Sequence, residues 1–177
     1  MAISSTSTAA SPPASDAVAI VVMGVSGSGK TTVGERLAQA LHAEFVDGDD
    51  LHTEAARAKM AAGHALTDED RWPWLDRIGA ALADRSAVIA CSALRRVYRD
   101  RLRAAAGPKL RFVYLEASLE EMRARVAGRH GHYMPASLVE SQFAALEPPE
   151  GEADVITVSA DADLDTEIPA LAARLAS

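Results

Sequence analysis

Residues 18–41, "VAIVVMGVSGSGKTTVGERLAQAL", decide the fold of this chain. The stretch opens with an apolar run of strand length, turns through closely spaced glycines and continues as an amphipathic helical pattern. Its residues 24–31 read G-V-S-G-S-G-K-T, which satisfies the P-loop pattern G-x-x-x-x-G-K-[ST]. Glycines let the backbone aim its N–H groups at phosphate oxygens, and the next helix adds the positive end of its dipole. The stretch therefore predicts a nucleotide phosphate site.

Within this loop the residue types predict ATP and Mg²⁺ as cofactors. Lys30 is expected to reach the β- and γ-phosphates, and the Thr31 hydroxyl is expected to ligate Mg²⁺. Thr32 is the weakest member, since it also fits as an ordinary helical residue. The predicted nucleotide contacts are Gly24, Val25, Ser26, Gly27, Ser28, Gly29, Lys30, Thr31 and Thr32.

Outward from the loop, apolar strand-like runs alternate with longer helical patterns. Strands are predicted at residues 18–23, 44–47, 87–91, 111–116 and 154–159, and helices at 30–41, 54–62, 68–83, 93–106, 119–127, 136–146 and 164–176. Continuously apolar strands separated by helices indicate a parallel sheet covered on both faces. We expect an α/β fold with three α/β/α layers of the P-loop NTPase type. Residues 17–177 are predicted to form one domain, and residues 1–16, which are small, polar and proline-containing, a flexible tail.

Composition excludes several classes of protein. The net charge of −7 argues against a nucleic-acid binder, and no apolar run is long enough to span a membrane. The single cysteine, Cys91, lies in an apolar strand and is expected to be a buried residue rather than a nucleophile. With one cysteine no internal disulfide forms, which favours a reducing, cytoplasmic location.

Three aspartates follow the second predicted strand, where ligands gather in an open α/β sheet. Asp47 and Asp49 are two residues apart, so in extended backbone they point the same way, and Gly48 permits a tight approach. We expect Asp47 to hold the metal, through water, and Asp49 to face an acceptor hydroxyl as hydrogen-bond acceptor or base. Asp50 is expected to cap the following helix. The alternative is an acidic turn with a cap.

At this point the sequence resembles the gluconokinases, small P-loop kinases related to shikimate kinase. The resemblance rests on six segments that appear in the family's order and span most of the folded part: "GVSGSGKTT", "DGDDLH", "KMAAGHALTDEDRWPWL", "CSALRRVYRDRLR", "RHGHYM" and "SQFAALEPP". It implies transfer of the γ-phosphoryl group of ATP to the 6-hydroxyl of D-gluconate, a five-stranded parallel sheet, a mobile lid and often a homodimer. The chain departs from the family pattern at Thr53, Ala56 and Ala65.

A sugar-acid acceptor needs cationic partners, because an unpaired buried anion is costly. Arg95 and Arg99 share a face of the predicted helix at residues 93–106, with Tyr98 beside them. We expect these three residues, together with His52 and Arg71, to bind the substrate. A solvated charged helix face is the alternative for the arginines, and an ion pair with Asp68 or Asp70 is the alternative for Arg71.

Residues 123–136 are similar to the family's lid. Arg129 is expected to cover the transferring phosphoryl group, and Arg125 to stack on adenine. His130 and His132 lack partners at metal-like spacing, so we do not expect a zinc site.

Two alternatives to a gluconokinase stay open at this stage. One is a kinase of the same fold that acts on shikimate or a different sugar acid. The other is a non-catalytic ATP-binding regulator.

Overall fold

The structure, a computed structural model, describes residues 17–128 and 136–177. Its five strands are β1 (Ala19–Met23), β2 (Glu44–Asp47), β3 (Ala87–Ala90), β4 (Arg111–Glu116) and β5 (Val155–Ser159). The helices are α1 (Lys30–Ala40), α2 (Glu54–Ala61), α3 (Asp68–Asp84), α4 (Arg96–Ala106), α5 (Leu119–Ala127), α6 (Ala136–Ala145) and α7 (Leu164–Ala176), with a 3₁₀ helix at Gly48–Leu51. The predicted flexible tail lies outside the described residues, as do residues 129–135 of the predicted lid, Arg129 among them.

The strands form one parallel sheet in the order β2-β3-β1-β4-β5. All five carboxyl ends therefore lie along one edge, with the glycine loop after β1 at the centre. The predicted parallel α/β fold is confirmed.

Both faces of the sheet are covered because β1 is apolar at every position. Val21 and Met23 pack with α3 and α4 on one face, whereas Ile20 and Val22 pack with α1 and α7 on the other. A third apolar cluster, at the carboxyl edge, joins Val25 of the glycine loop to α5 and α6. No helix among the described residues is long and apolar enough to cross a membrane.

Two predicted local features are wrong. The helix expected from residue 93 begins at Arg96, because Ala93 has a φ of 44° and Arg95 is extended. Asp50 does not cap α2; the Thr53 hydroxyl does, by accepting the Ala56 N–H.

Candidate active site

The glycine loop has the backbone that its sequence predicts. Gly24, Gly27 and Gly29 all have positive φ, at 148°, 83° and 97°. A side chain at Gly24 would lie 2.8 Å from Ser28 Oγ and 3.0 Å from the Leu115 carbonyl, so only glycine fits. The loop delivers the chain to the amino end of α1, where exposed Thr31 and Thr32 stand in the first turn.

Lys30 folds back over this loop. Its Nζ donates to the Val25 carbonyl at 3.0 Å. Burial lowers the pKa of the Lys30 ammonium, and the carboxylates of Asp49 and Asp47 partly offset this effect. The cation and the two carboxylates thus lie within electrostatic reach of one another, which is the arrangement expected where a nucleotide and its metal are held.

The acidic turn has a different geometry from the extended one predicted. Asp47 ends β2, and its Oδ1 accepts the Asp49 N–H at 3.0 Å, so it caps the 3₁₀ helix. The backbone bends at Gly48, where a side chain would approach the Ala90 carbonyl oxygen to 2.4 Å. The tight approach expected of this glycine is therefore present, although Asp49 and Asp47 do not alternate along a strand.

Beside this turn lies a cleft of about 490 Å³, called here the Asp49 cleft. It contains four of the predicted substrate residues: Asp49, His52, Arg71 and Tyr98. Its lining residues are Asp49, His52, Met60, His64, Ala65, Leu66, Arg71, Trp74, Ser92, Leu94, Tyr98, Leu138, Ser141, Gln142 and Ala145.

His52 forms part of the floor of the Asp49 cleft. Its ring stacks on Trp74 with 4.2 Å between the ring centroids and an interplanar angle of 16°. Burial lowers the pKa of the imidazole, with the Asp49 carboxylate acting in the opposite direction. The Nδ1 atom is buried and has no hydrogen-bond partner among the described residues. His52 lines the Asp49 cleft, and a neutral imidazole carries one donor and one acceptor nitrogen, which suits hydrogen bonding to a hydroxylated ligand.

Arg71 and Arg95 lie against Tyr98, each with its guanidinium carbon 5.5 Å from the ring centroid. Asp68 organises the group, since its carboxylate accepts from Tyr98 Oη at 2.6 Å and from Arg95 Nη1 at 2.8 Å. The hydrogen bonds from Tyr98 and Arg95, one each, keep the pKa of the Asp68 carboxyl below its usual value. Asp68 is a site residue that sequence reasoning considered only as a partner of Arg71.

Of its guanidinium nitrogens, Arg71 uses only Nη1 for hydrogen bonds and ion pairs within residues 17–128 and 136–177. Its Nη1 donates to the Leu66 carbonyl at 2.7 Å and lies 3.8 Å from Asp68 Oδ1. The structure thus places it near Asp68, as the alternative reading held, and at the wall of the Asp49 cleft as well. Arg95, by contrast, is not among the residues that line this cleft, and it reaches the site through Asp68 and Tyr98.

The prediction that Arg99 contacts the substrate is wrong. The side chain is fully buried, and each of its N–H groups is used within the fold. Its acceptors are the Glu152 carboxylate and the carbonyls of Ala93, Leu94 and Glu147. Arg99 therefore fixes the loop after β3, and no donor is left for a ligand.

Arg125, predicted to stack on adenine, bridges two loops at the carboxyl edge. It donates to the Gly27 carbonyl at 3.1 Å, to the Ala160 carbonyl at 2.9 Å and to Asp161 Oδ1 at 2.8 Å. This position is next to the glycine loop, but its stacking on adenine stays a prediction. Cys91 is buried as expected, and burial raises the pKa of its thiol to about 12, so it is not a nucleophile.

Comparison with known proteins agrees with this geometry. Residues 20–149 match the family model described as an AAA domain. The chain is 47% identical over 147 residues to a gluconokinase of Gluconobacter oxydans, covering 80% of this chain and 82% of that protein. It is 46% identical over 152 residues to a probable gluconokinase of Schizosaccharomyces pombe, covering 80% and 79%.

A solved structure gives the same result. The crystal structure of a gluconokinase from Sinorhizobium meliloti superposes with a TM-score of 0.81 at 47% identity, covering 91% of this chain and 94% of that one. Sequence and structure therefore agree over most of the described residues. The chain belongs to the gluconokinase family.

Proposed function

We propose that the protein transfers the γ-phosphoryl group of ATP to the 6-hydroxyl of D-gluconate, giving 6-phospho-D-gluconate and ADP. The observation that carries this proposal is the Asp49 cleft, where a carboxylate, a neutral imidazole and a guanidinium share a lining with Gln142, which hydrogen-bonds to Ser26 of the phosphate loop. These groups suit a hydroxylated anion, because the guanidinium can pair with its carboxylate and the other two can hydrogen-bond to its hydroxyls. The choice of gluconate as the substrate rests on the relatives, which are named gluconokinases.

The chemistry is one displacement at phosphorus. The acceptor oxygen forms a bond to the γ-phosphorus, the bond from that phosphorus to the bridging oxygen of ADP breaks, and the hydroxyl proton passes to Asp49. Lys30 and the N–H groups of the glycine loop neutralise the phosphate oxygens. Arg71 pairs with the gluconate carboxylate, and His52 accepts or donates a hydrogen bond to a sugar hydroxyl. Positioning and charge neutralisation, more than strong base chemistry, lower the barrier.

The residues present fit a magnesium ion. Thr31 offers a hydroxyl at the start of α1, and Asp47 uses Oδ1 for the Asp49 N–H, which leaves Oδ2 for a metal-bound water. No cluster of three or more His, Cys, Asp or Glu side chains suited to a metal occurs within residues 17–128 and 136–177. Mg²⁺ keeps several waters and takes phosphate oxygens as ligands, so one hydroxyl and one carboxylate from the protein match its needs. When bound, the ion neutralises charge on the β- and γ-phosphates.

Arg129 as the lid arginine, a homodimer and a cytoplasmic location remain predictions. None of them is needed for the contacts described above. Arg129 in particular lies outside the described residues, so its role depends on the family resemblance.

The test is an ADP-release assay with purified protein, ATP and Mg²⁺ against a panel of acceptors. D-gluconate is expected to give the highest kcat/KM, ahead of its epimers and of shikimate, and NMR of the product should place the phosphate on O6. Phosphorylation of shikimate but not of gluconate would overturn the proposal. ATP binding without product from any sugar acid would favour a regulator instead.

A further inference from the structure

Gln142, on α6, makes two hydrogen bonds to a single residue of the phosphate loop. Its Oε1 accepts from the Ser26 backbone N–H at 2.6 Å, and its Nε2 donates to Ser26 Oγ at 2.7 Å. Both residues are half-buried, and Gln142 also lines the Asp49 cleft. The contact therefore lies where the phosphate loop and the acceptor side of the site meet.

Hydrogen-bond chemistry fixes which end of the amide faces which atom. A backbone N–H can only donate, so it must face the amide oxygen, and the amide nitrogen must then face the Ser26 hydroxyl oxygen. Since Nε2 can only donate, Ser26 Oγ is an acceptor in this pair. The hydroxyl hydrogen of Ser26 is left to donate elsewhere, and no protein acceptor for it occurs in the part of the chain that the structure describes.

The surroundings of Ser26 indicate what this hydrogen meets. Ser26 follows Val25, whose carbonyl accepts from Lys30 Nζ at 3.0 Å, so the loop residue and the phosphate-binding cation lie together. Phosphoryl oxygens carry no hydrogen and attract donors of this kind. Gln142 also lines the Asp49 cleft, which provides the space for the acceptor.

We propose that Gln142 is a positioning residue that makes the Ser26 hydroxyl a hydrogen-bond donor to the γ-phosphoryl group. This rests on the proposed function in one respect, that ATP is the phosphoryl donor. Gln142 suits the role because α6 is itself anchored at its far end. There the Glu147 N–H donates to the Leu94 carbonyl at 2.8 Å, and Glu147 Oε2 accepts the Arg96 N–H at 2.5 Å.

The test compares the affinity for ADP with that for β,γ-imido ATP in Ser26→Ala and Gln142→Met, measured by calorimetry. Only the imido nucleotide carries a γ-phosphate. Each variant should therefore bind it about tenfold more weakly than the wild type does, while affinity for ADP changes less than about twofold. The double variant should lose no more than either single one, because both remove the same hydrogen bond.

Equal losses for the two nucleotides would overturn the inference, because Gln142 would then only shape the loop. Unchanged affinity for both would overturn it as well. If Gln142→Met fails to fold, Gln142→Leu takes its place, since leucine also removes both bonds to Ser26. Ser26→Ala, which keeps the bond from the Ser26 N–H to Gln142, then tests the contact of the hydroxyl with the γ-phosphate separately. The binding measurement contains no gluconate, so a wild-type protein inactive on gluconate would refute the proposed function without deciding this inference.

Discussion

The indole Nε1 of Trp74 donates a hydrogen bond to the carbonyl oxygen of Gly48 at 2.7 Å, within the buried interior. This bond joins α3 to the acidic turn between β2 and α2. On the other side of the turn the Gly48 backbone presses against the Ala90 carbonyl, so the turn is held from two directions. Asp49 follows directly, and its place at the cleft is therefore set by Trp74 as well as by β2.

Replacing Trp74 tests this link. Trp74→Phe keeps an aromatic ring beneath His52 but leaves the buried Gly48 carbonyl without its donor, which should lower the free energy of unfolding by about 1–3 kcal/mol. We also expect kcat to fall while KM for ATP stays unchanged, because the displaced turn carries Asp49 and not the glycine loop. Urea unfolding and steady-state kinetics measure the two effects. An unchanged kcat in a destabilised variant would limit Trp74 to a structural role.

Removing the cation of the phosphate loop should abolish turnover. Lys30→Ala deletes the only lysine of the loop. We expect kcat to fall at least about a hundredfold, because removing one hydrogen-bond donor to a developing anion typically lowers kcat by that much. The matched control is Lys109→Ala, which removes an exposed lysine just before β4, at the opposite end of the sheet. Both variants are assayed for ADP release with gluconate present. A fully active Lys30→Ala would contradict the assignment of the phosphate site.

Arg71 is expected to bind the acceptor and not the nucleotide. Arg71→Gln should raise KM for gluconate by about tenfold or more, because a charged hydrogen bond to the carboxylate is lost, and should leave KM for ATP unchanged. Arg101→Gln is the control, since Arg101 also lies against an aromatic ring, that of Trp72, but pairs with Asp76 on the exposed side of α3. Equal effects of the two substitutions on KM for gluconate would remove Arg71 from the site.

The buried Arg99–Glu152 pair makes stability depend on pH. Burial alone would raise the pKa of Glu152, but hydrogen bonds from Arg99 and Arg103 outweigh it and hold the pKa at about 2. The unfolded chain has an ordinary carboxyl pKa near 4.5, so the ionised form is stabilised in the fold above that pH and the stabilisation is lost as pH falls toward 2. At about 1.4 kcal/mol per pKa unit, the ionised Glu152 stabilises the fold by on the order of 3 kcal/mol at neutral pH.

Glu152→Gln tests that dependence. The variant should be less stable than the wild type at pH 7 in urea unfolding, and the difference should shrink between pH 4.5 and pH 2. A difference that stayed constant over this range would show that the loss comes from packing and not from the ionised pair. We expect kcat to change as well, because Glu152 holds Arg99, and Arg99 in turn holds the loop after β3 in place.

The sequence predicted the fold because its signals are local. The strands at Glu44–Asp47 and Arg111–Glu116 and the helix at Leu119–Ala127 have the predicted bounds, since apolar periodicity determines each of them. The cap of α2 is also a local feature. Thr53 lies three residues before Ala56, and its hydroxyl oxygen accepts the Ala56 N–H. Asp50 lies within the 3₁₀ helix that precedes α2, and is therefore too far from the start of α2 to cap it.

The parts of the site that were missed depend on residues far apart in the chain. The first N–H of α4 is accepted by Glu147, 51 positions away, so no nearby residue marks where that helix begins. Arg99 was assigned to the substrate because arginine clusters suggest anion binding, but Glu152, 53 positions away, neutralises it. The Ser26–Gln142 contact joins residues 116 apart. Single-sequence patterns carry no information on such pairs.

The most direct test of the whole account is single-turnover phosphoryl transfer by Asp49→Asn. Asparagine keeps the shape of the side chain but cannot accept the proton, so transfer to gluconate should slow by at least about a hundredfold. ATP affinity, measured separately by calorimetry, should stay within about twofold of the wild type, because Lys30 and the glycine loop are intact. Unimpaired transfer, or a defect confined to ATP binding, would contradict the account by assigning Asp49 to the metal and nucleotide instead of to the acceptor hydroxyl.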